Sequence, residues 1–459
     1  MRLCAFPPPY WLSSRSVHKK GGQPLARAIL KELIEINTTD SAGDTTRAAE
    51  VLAMRFRVAG FPEGDIHVDG PAPRKHNLVV RLHGSGAARP ILFIGHLDVV
   101  EANGSDWSFD PFQLREQDGY FYGRGTEDMK GGAAILVTTF LRLKSIGFRP
   151  ARDLVLALTT DEEGGPANGI DWLLKNHRDW IDAEFCVNAD GGGGHIKNGK
   201  RLFMAVQAAE KVFVSFKLES ANPGGHSSLP IKDNAIYHLA GALTRLAQFD
   251  FPVHLFDVTR ANFERMAPLY GGQLGADMKT LVENSNDLAV VARLSATPLF
   301  NALLRTTCVA TLLSGGHAEN ALPQMATAVV NCRMLPVDRA EEVEQTLQTV
   351  VDDPKVRVTV MTPAKASVYP PMNSQVLRAV TAATLNSWPG IPVVPQMETG
   401  ATDGLYLRGA GIPTFGVSGI FFDEDDVRAH GRDERILVKS FNEAIDFMDD
   451  VVTTLAKAQ

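Results

Sequence analysis

The chain has 459 residues, more than one hydrophobic core ordinarily organises, so two domains are expected. With 44% hydrophobic and 22% charged residues, its composition is that of a folded globular protein. A net charge of −7 without a long basic run argues against a nucleic-acid partner, and no uninterrupted apolar stretch is long enough to be read as a transmembrane helix.

The N-terminal stretch combines Phe6-Pro7-Pro8-Pro9-Tyr10-Trp11 with Arg15, His18, Lys19 and Lys20. It lacks the continuous apolar core and cleavage site of a secretory signal, so residues 1–20 are expected to be a flexible extension. Leu25, Ile29, Leu30, Leu33 and Ile34 recur at helical spacing, and a second helix is predicted over 45–59. Strands are predicted at 77–82 and 91–95, a helix over 129–146, and short buried strands at 154–158 and 185–188. Strands alternating with helices imply a largely parallel sheet covered on both faces, with the active site at the carboxyl ends of its strands. After Ala208 the pattern changes to longer strands at 212–218, 326–332 and 356–361, separated by helices at 235–248 and 340–351. The α/β pattern resumes with a helix over 374–388, a strand at 414–418 and a last helix from Ser440, where Ser440-x-x-Glu443 reads as a capping box.

The expected fold is therefore α/β: a discontinuous domain at 21–208 and 371–459, with a mixed, largely parallel sheet, interrupted by an α+β domain with antiparallel pairing at 209–370. Cys4, Cys186, Cys308 and Cys332 form no paired motif, so a structural zinc knuckle is not expected. Cys186 and Cys332 lie in apolar runs and read as buried thiols, which suits a reducing, cytoplasmic location.

Several acids and histidines follow predicted strands. In His96-Leu97-Asp98 the first and third residues of an extended segment face the same side, and a carboxylate that receives the second ring N–H of a histidine ligand fixes its tautomer. A buried polar pair accounts for the tripeptide equally well. Asp128 stands at a helix entrance after Gly123-Arg124-Gly125, where it reads as an N-cap or as a ligand able to bridge two metals. Glu162 and Glu163 lie between an apolar strand and Gly164-Gly165, so one acid can bind metal while the other acts as general base. Asp190 alone reads as a turn residue, and His430 alone as an exposed loop histidine. The bare residue types suit a hard-to-borderline divalent metal.

The motif string is more specific. Gly95-His96-Leu97-Asp98, Trp107-Ser108-Phe109-Asp110-Pro111, Gly123-Arg124-Gly125 with Asp128-Met129-Lys130-Gly131, and Asp161-Glu162-Glu163-Gly164 follow one another in order. Gly224-Gly225-His226-Ser227-Ser228, Gly400-Ala401-Thr402-Asp403-Gly404 and His430-Gly431-Arg432-Asp433-Glu434 complete it. The whole, over about residues 25–455, resembles the cocatalytic dizinc metallopeptidase family of acetylornithine deacetylase, succinyl-diaminopimelate desuccinylase, aminoacylase, carboxypeptidase S and glutamate carboxypeptidase.

That resemblance implies a zinc-exopeptidase-like catalytic domain with an inserted lid or dimerisation domain. It implies two Zn²⁺ ions per chain, for which Co²⁺ can substitute, and Asp128 as the bridge, with a cis peptide to the next residue. One ion takes His96 and Asp190, the other Glu163 and His430; Glu162 is the general base toward the water held by the two zincs, and Asp98 supports His96. His226 matches a residue that stabilises the oxyanion, often from a partner subunit, Asn320 a substrate-facing Asn, and Arg333 an arginine linked to the substrate carboxylate. Thr402, on a glycine turn before a predicted helix, offers further donors to an anion. Asp190, rather than Glu at that position, and an extra segment at about 249–307 tilt the expectation to a carboxypeptidase acting on peptides. The rivals are an N-acyl-amino-acid amidohydrolase, a dipeptidase and, from another class, a non-catalytic zinc-bound interaction protein. The resemblance leaves open a homodimer through the inserted domain, with His226 acting in trans, and a monomer with a swung lid.

Overall fold

The computed structural model describes residues 22–361, 364, 369–371 and 374–457. The extension expected at 1–20, with Cys4, lies outside them. Among the described residues, those within Met1–Arg201, Ala379–Ile391 and Ser418–Gln459 form one compact unit, and those within Leu202–Arg378 and Pro392–Val417 the other.

In the first unit the strands run in the order Ile66–Ala72, Lys75–Leu82, Leu154–Thr159, Ile91–His96, Phe185–Asn188. The first two junctions are antiparallel, and Ile91–His96 is parallel to both of its neighbours. Every residue of Ile91–His96 and Leu154–Thr159 is buried, as unbroken apolar runs in the middle of a covered sheet must be. Helix Lys130–Ser145 packs on Ile91–His96 and is flanked by helices Gln23–Ile34 and Val438–Leu455. Glycines set the approach of helix to sheet: a Cβ on Gly95 would stand 2.5 Å from Met129 Sδ, and one on Gly132 would stand 2.7 Å from Met129 Cε. Met129 therefore wedges between the strand end and the helix start, holding Asp128 beside His96.

In the second unit the antiparallel sheet runs Thr307–Gly315, Met325–Met334, Val212–Ala221, Val356–Val360. Burial alternates along Met325–Met334, the period-2 pattern of a strand with one covered face. Helices Ala235–Ala247 and Ala340–Val351 pack against this sheet, on a core that includes Phe216, Leu239, Val330 and Leu347. The extra segment folds into four helices, Asp257–Tyr270, Gly272–Glu283, Leu288–Ser295 and Pro298–Leu304. Their apolar faces, with Phe263, Met278, Leu281 and Leu303, close a second core with Phe203, Val394 and Met397. Strand Val393–Glu398 pairs in parallel with Lys200–Glu210, which places Pro392–Val417 in this unit and not with the rest of the C-terminal region.

Two local expectations are corrected. The last helix begins at Val438, because strand Arg435–Leu437 runs straight into it with Leu437 as N-cap; Ser440 lies inside and accepts from Phe421 N–H, so there is no capping box. Cys332 is not a thiol: it sits directly opposite Cys308 on the neighbouring strand and the two form a disulfide. Among the described residues Cys186 alone is a cysteine outside a disulfide, and it is buried, so the thiol argument for a reducing compartment rests on it alone. No helix among the described residues is long and apolar enough to cross a membrane.

Candidate metal centre and substrate-facing residues

His96 ends a fully buried strand and is itself buried. Its Nδ1 lies 3.0 Å from the main-chain carbonyl of Asp98, which directs Nε2 to the carboxylates. That Nε2 is 3.0 Å from Asp128 Oδ1 and 3.6 Å from Asp190 Oδ1. On the other side, His430 Nε2 is 2.9 Å from Asp128 Oδ2 and 3.0 Å from Glu163 Oε2. The first unit thus holds two triads of possible ligands, His96/Asp128/Asp190 and Asp128/Glu163/His430, in each of which the ligand atoms lie within 4.8 Å of one another. Asp128 belongs to both and turns a different oxygen to each. Two donors on one tetrahedral ion, each bound at about 2.0–2.1 Å, stand about 3.3 Å apart, so these separations suit shared ions.

The local chain explains the placement. The helix starts at Lys130 with Met129 as N-cap, so Asp128 precedes the cap and its carboxylate lies with the histidines; the Asp128–Met129 peptide is cis. Asp98 acts differently from expectation. Its Oδ1 is 3.7 Å from His96 Nδ1, beyond hydrogen-bond range, while its Oδ2 accepts from Glu163 N–H at 3.0 Å. It orients His96 through its carbonyl and the Glu162–Glu163 turn through its carboxylate. Asp161, at φ 55°, anchors the same turn by pairing with Lys75 and accepting from Ala167 N–H at 3.2 Å.

Glu434, which carried no role in the sequence reading, is fully buried and organises the loop before Asp128. Its Oε1 accepts from Glu127 N–H at 2.7 Å and Asp128 N–H at 3.0 Å; its Oε2 accepts from Gly125 N–H at 2.9 Å and Arg124 Nη1 at 2.6 Å. Arg124 also donates to Gly431 O at 3.0 Å and so ties this loop to the segment carrying His430, whose own φ of 62° lies in the left-handed region. Glu434 stood in the quoted motif, but its role depends on contacts about 300 residues apart in sequence.

The electrostatics favour cations. Burial opposes the protonated form of His96, but Asp190, Asp128 and Asp98 outweigh it and raise its pKa well above the usual value. A hydrogen bond to Asp128 and the charge of Glu163 lift His430 to about 9 against its burial. Burial and the Asp128 charge push Glu163 up to about 7. Burial also opposes ionisation of Asp128, but hydrogen bonds to His430 and His96 prevail and its pKa is lowered. Glu163 Oε1 and Asp98 Oδ1 are buried without a hydrogen-bond partner. A cluster that draws in protons and leaves acceptors unpaired fits divalent ions with mixed nitrogen and oxygen ligands.

The other four sequence-predicted residues lie in the second unit. His226 is exposed on a short bridge that pairs it with Ala321. Ser228 N–H points at its Nδ1 at 3.2 Å, which leaves Nε2 as the donor nitrogen. Asn320 lies beside it, its carbonyl accepting from Ser227 N–H at 3.0 Å. Arg333, in strand Met325–Met334, stacks over Phe213 at 4.9 Å, and burial lowers its pKa. Thr402 differs from expectation: its N–H and hydroxyl both donate to Glu210, at 3.2 and 3.0 Å, so these donors face a carboxylate inside the fold.

Residues 92–454 match the model of Peptidase family M20/M25/M40. The chain is 28% identical over 449 residues to a probable carboxypeptidase S-like 2 of Dictyostelium discoideum, covering 95% of this chain and 85% of that one. It is 26% identical over 443 residues to the N-fatty-acyl-amino acid synthase/hydrolase PM20D1 of Homo sapiens, covering 92% and 86%. In fold it is similar to an M20 family metallo-carboxypeptidase from Sulfolobus solfataricus, with TM-score 0.69, 18% identity and 94% and 99% of the two chains covered. It is also similar to a dinuclear metal-binding M20 peptidase of Bacillus subtilis, with TM-score 0.59, 10% identity and 95% and 98% covered.

Proposed function

We propose, for a chain that belongs to peptidase family M20/M25/M40 and is therefore a metal-dependent hydrolase, a carboxypeptidase-like reaction: cleavage of the amide bond next to a free C-terminal amino acid. The observation that carries the hydrolytic part of this reading is the division of the two Asp128 oxygens between two donor triads, with Glu162 next to the ligand acid Glu163; the carboxypeptidase S-like relative supports the preference for a C-terminal residue. We assign His96 and Asp190 to one Zn²⁺, Glu163 and His430 to a second, and Asp128 to both, with Co²⁺ as a substitute. When bound, the ions supply Lewis acidity, polarising the amide carbonyl and lowering the pKa of water towards about 7. Glu162 takes the proton of the attacking water and delivers it to the leaving nitrogen. His226 donates from Nε2 to the carbonyl oxygen as negative charge develops there. The Arg333 guanidinium takes the planar α-carboxylate, and Asn320 faces the substrate beside His226.

The test compares a good peptide substrate with its C-terminal amide. Amidation is expected to lower kcat/KM by orders of magnitude, because carboxylate binding orients the scissile bond as well as adding affinity. Arg333→Ala is expected to erase most of that preference. Equal rates on acid and amide would replace this reading with an aminopeptidase or a broader amidase.

A second reading is an N-acyl-amino-acid amidohydrolase, favoured by the human relative, whose name gives it N-fatty-acyl-amino acids. It uses the same residues and the same free carboxylate, so a panel of dipeptides, tripeptides and N-acyl amino acids separates the two, and separates both from a dipeptidase. A non-catalytic zinc-bound protein is disfavoured because Glu162 and all five ligand positions are present. We also propose a homodimer through the second unit. Strand Thr307–Gly315 is an edge with exposed Val309, Leu312 and Leu313, a surface that pairs readily with another chain.

A further inference from the structure

Beneath the Gly400–Gly404 turn lies an ion pair with no role so far. Glu210 and Arg408 are both fully buried, with Arg408 Nη1 2.6 Å from Glu210 Oε1. Glu210 Oε2 accepts three donors: Thr402 N–H at 3.2 Å, Thr402 Oγ1 at 3.0 Å and Gln207 Nε2 at 3.1 Å. The Thr402 hydroxyl in turn accepts from Gly404 N–H at 3.1 Å. Arg408 is held from behind, Nε and Nη2 donating to Thr414 O at 3.1 and 2.9 Å. There is no slack: a Cβ on Gly404 would stand 3.0 Å from Thr402 Oγ1 and 3.1 Å from Arg408 Nη1.

The place in the fold matters. Glu210 ends strand Lys200–Glu210, paired in parallel with Val393–Glu398, whose last residue Glu398 is opposite it. The turn leaves directly from that end, and the carboxyl ends of parallel strands are where such sheets build their sites. A buried ion pair is weak support for stability, since well-packed apolar residues often replace one at no cost. What the charge gives here is direction: it fixes both donors of one turn residue at once.

We propose that Glu210, neutralised by Arg408, is a positioning residue that holds Thr402 turned inward and so sets the Gly400–Gly404 turn for the free carboxylate end of the substrate. This rests on the free-carboxylate reading above. Thr402 acts through Glu210 and not by giving its hydroxyl to the substrate.

The test uses the metal-loaded full chain, a peptide and its C-terminal amide, and the ratio of the two kcat/KM values. In Glu210→Gln the acid-over-amide preference is expected to fall at least tenfold, mainly through a raised KM for the acid, with metal content unchanged. Thr402→Val should give the same fall, Thr402→Ser should keep the preference, and the double variant Glu210→Gln/Thr402→Val should be no worse than either single one. A lower melting temperature with an unchanged preference would reduce Glu210 to a structural residue and overturn the proposal. A lower KM for the acid in Glu210→Gln, with Thr402→Val unaffected, would show a simple charge effect and overturn it too. If Glu210→Gln does not fold, Thr402→Val decides, and an unchanged preference there refutes the idea. A parent enzyme without preference for the acid would defeat the free-carboxylate reading first, and this inference with it, before any variant is made.

Discussion

Glu434→Gln tests whether the metal centre is held from behind. The carboxylate accepts four donors, two on each oxygen: Glu127 and Asp128 N–H on one, Gly125 N–H and Arg124 Nη1 on the other. Glutamine has a single acceptor oxygen, so whichever way the amide turns, its NH₂ faces two donors and two bonds are lost. Bonds to a charged group are worth about 1.5–3 kcal/mol each. Arg124 would also stay buried without its counter-charge, and breaking a buried pair from one side costs about 3–5 kcal/mol. These terms overlap, and Arg124 keeps its bond to Gly431 and its stacking over Trp107, so the expected loss is about 3–5 kcal/mol of local stability. The amide oxygen is expected to turn to the buried Arg124 guanidinium, which frees the N–H groups of Glu127 and Asp128; because Asp128 belongs to both triads, metal affinity should fall about 10–100-fold, the usual penalty for losing an outer-shell partner. Chelator-competition titration of stripped and reloaded protein reads this out. Affinities within twofold of the parent, or a loss at one site only, would refute the view that Glu434 acts through the shared aspartate.

Glu162→Gln should lower turnover by about 10²–10⁴-fold with metal retained, whereas Glu163→Gln should lose metal; a Glu162→Gln enzyme within tenfold of the parent would refute the base assignment. Metal analysis of active protein should find two ions per chain, and chelation should abolish activity that zinc or cobalt restores; one ion or none would remove the dinuclear reading. Mixing His226→Ala with Glu162→Gln chains should regain activity if His226 works in trans in a homodimer; none, despite proven subunit exchange, would favour a site in cis. His238, 2.7 Å from Asp353 and 3.0 Å from Asp233, is held above its ordinary pKa chiefly by Asp353, despite some burial. Its contribution is therefore complete below about pH 6.5 and lost as pH rises through the higher folded-state value, so the melting-temperature advantage over His238→Gln should shrink as pH rises above that range. An advantage independent of pH would contradict this.

Much of the molecule was legible in one dimension. The short unbroken apolar runs at 91–95 and 154–158 read as covered strands, and strands alternating with helices imply a largely parallel sheet. The acids and histidines at the ends of those runs mark the candidate centre, because strand ends converge in such sheets. The extra segment around 249–307 was visible but not its four helices, whose apolar faces become a pattern only against the core they close. Other features belong to tertiary structure because their partners are remote in sequence. Cys308 meets Cys332 only once two strands are in register. The Asp98 carboxylate accepts its hydrogen bond from Glu163 N–H while lying 3.7 Å from His96 Nδ1, Thr402 gives its donors to Glu210, and Glu434 reaches back about 300 residues to hold Asp128. Sequence specifies which residue types are present and the local period they follow. Which of a carboxylate's possible donors it meets is decided by packing, because a buried acceptor must take the partners that the folded chain brings to it.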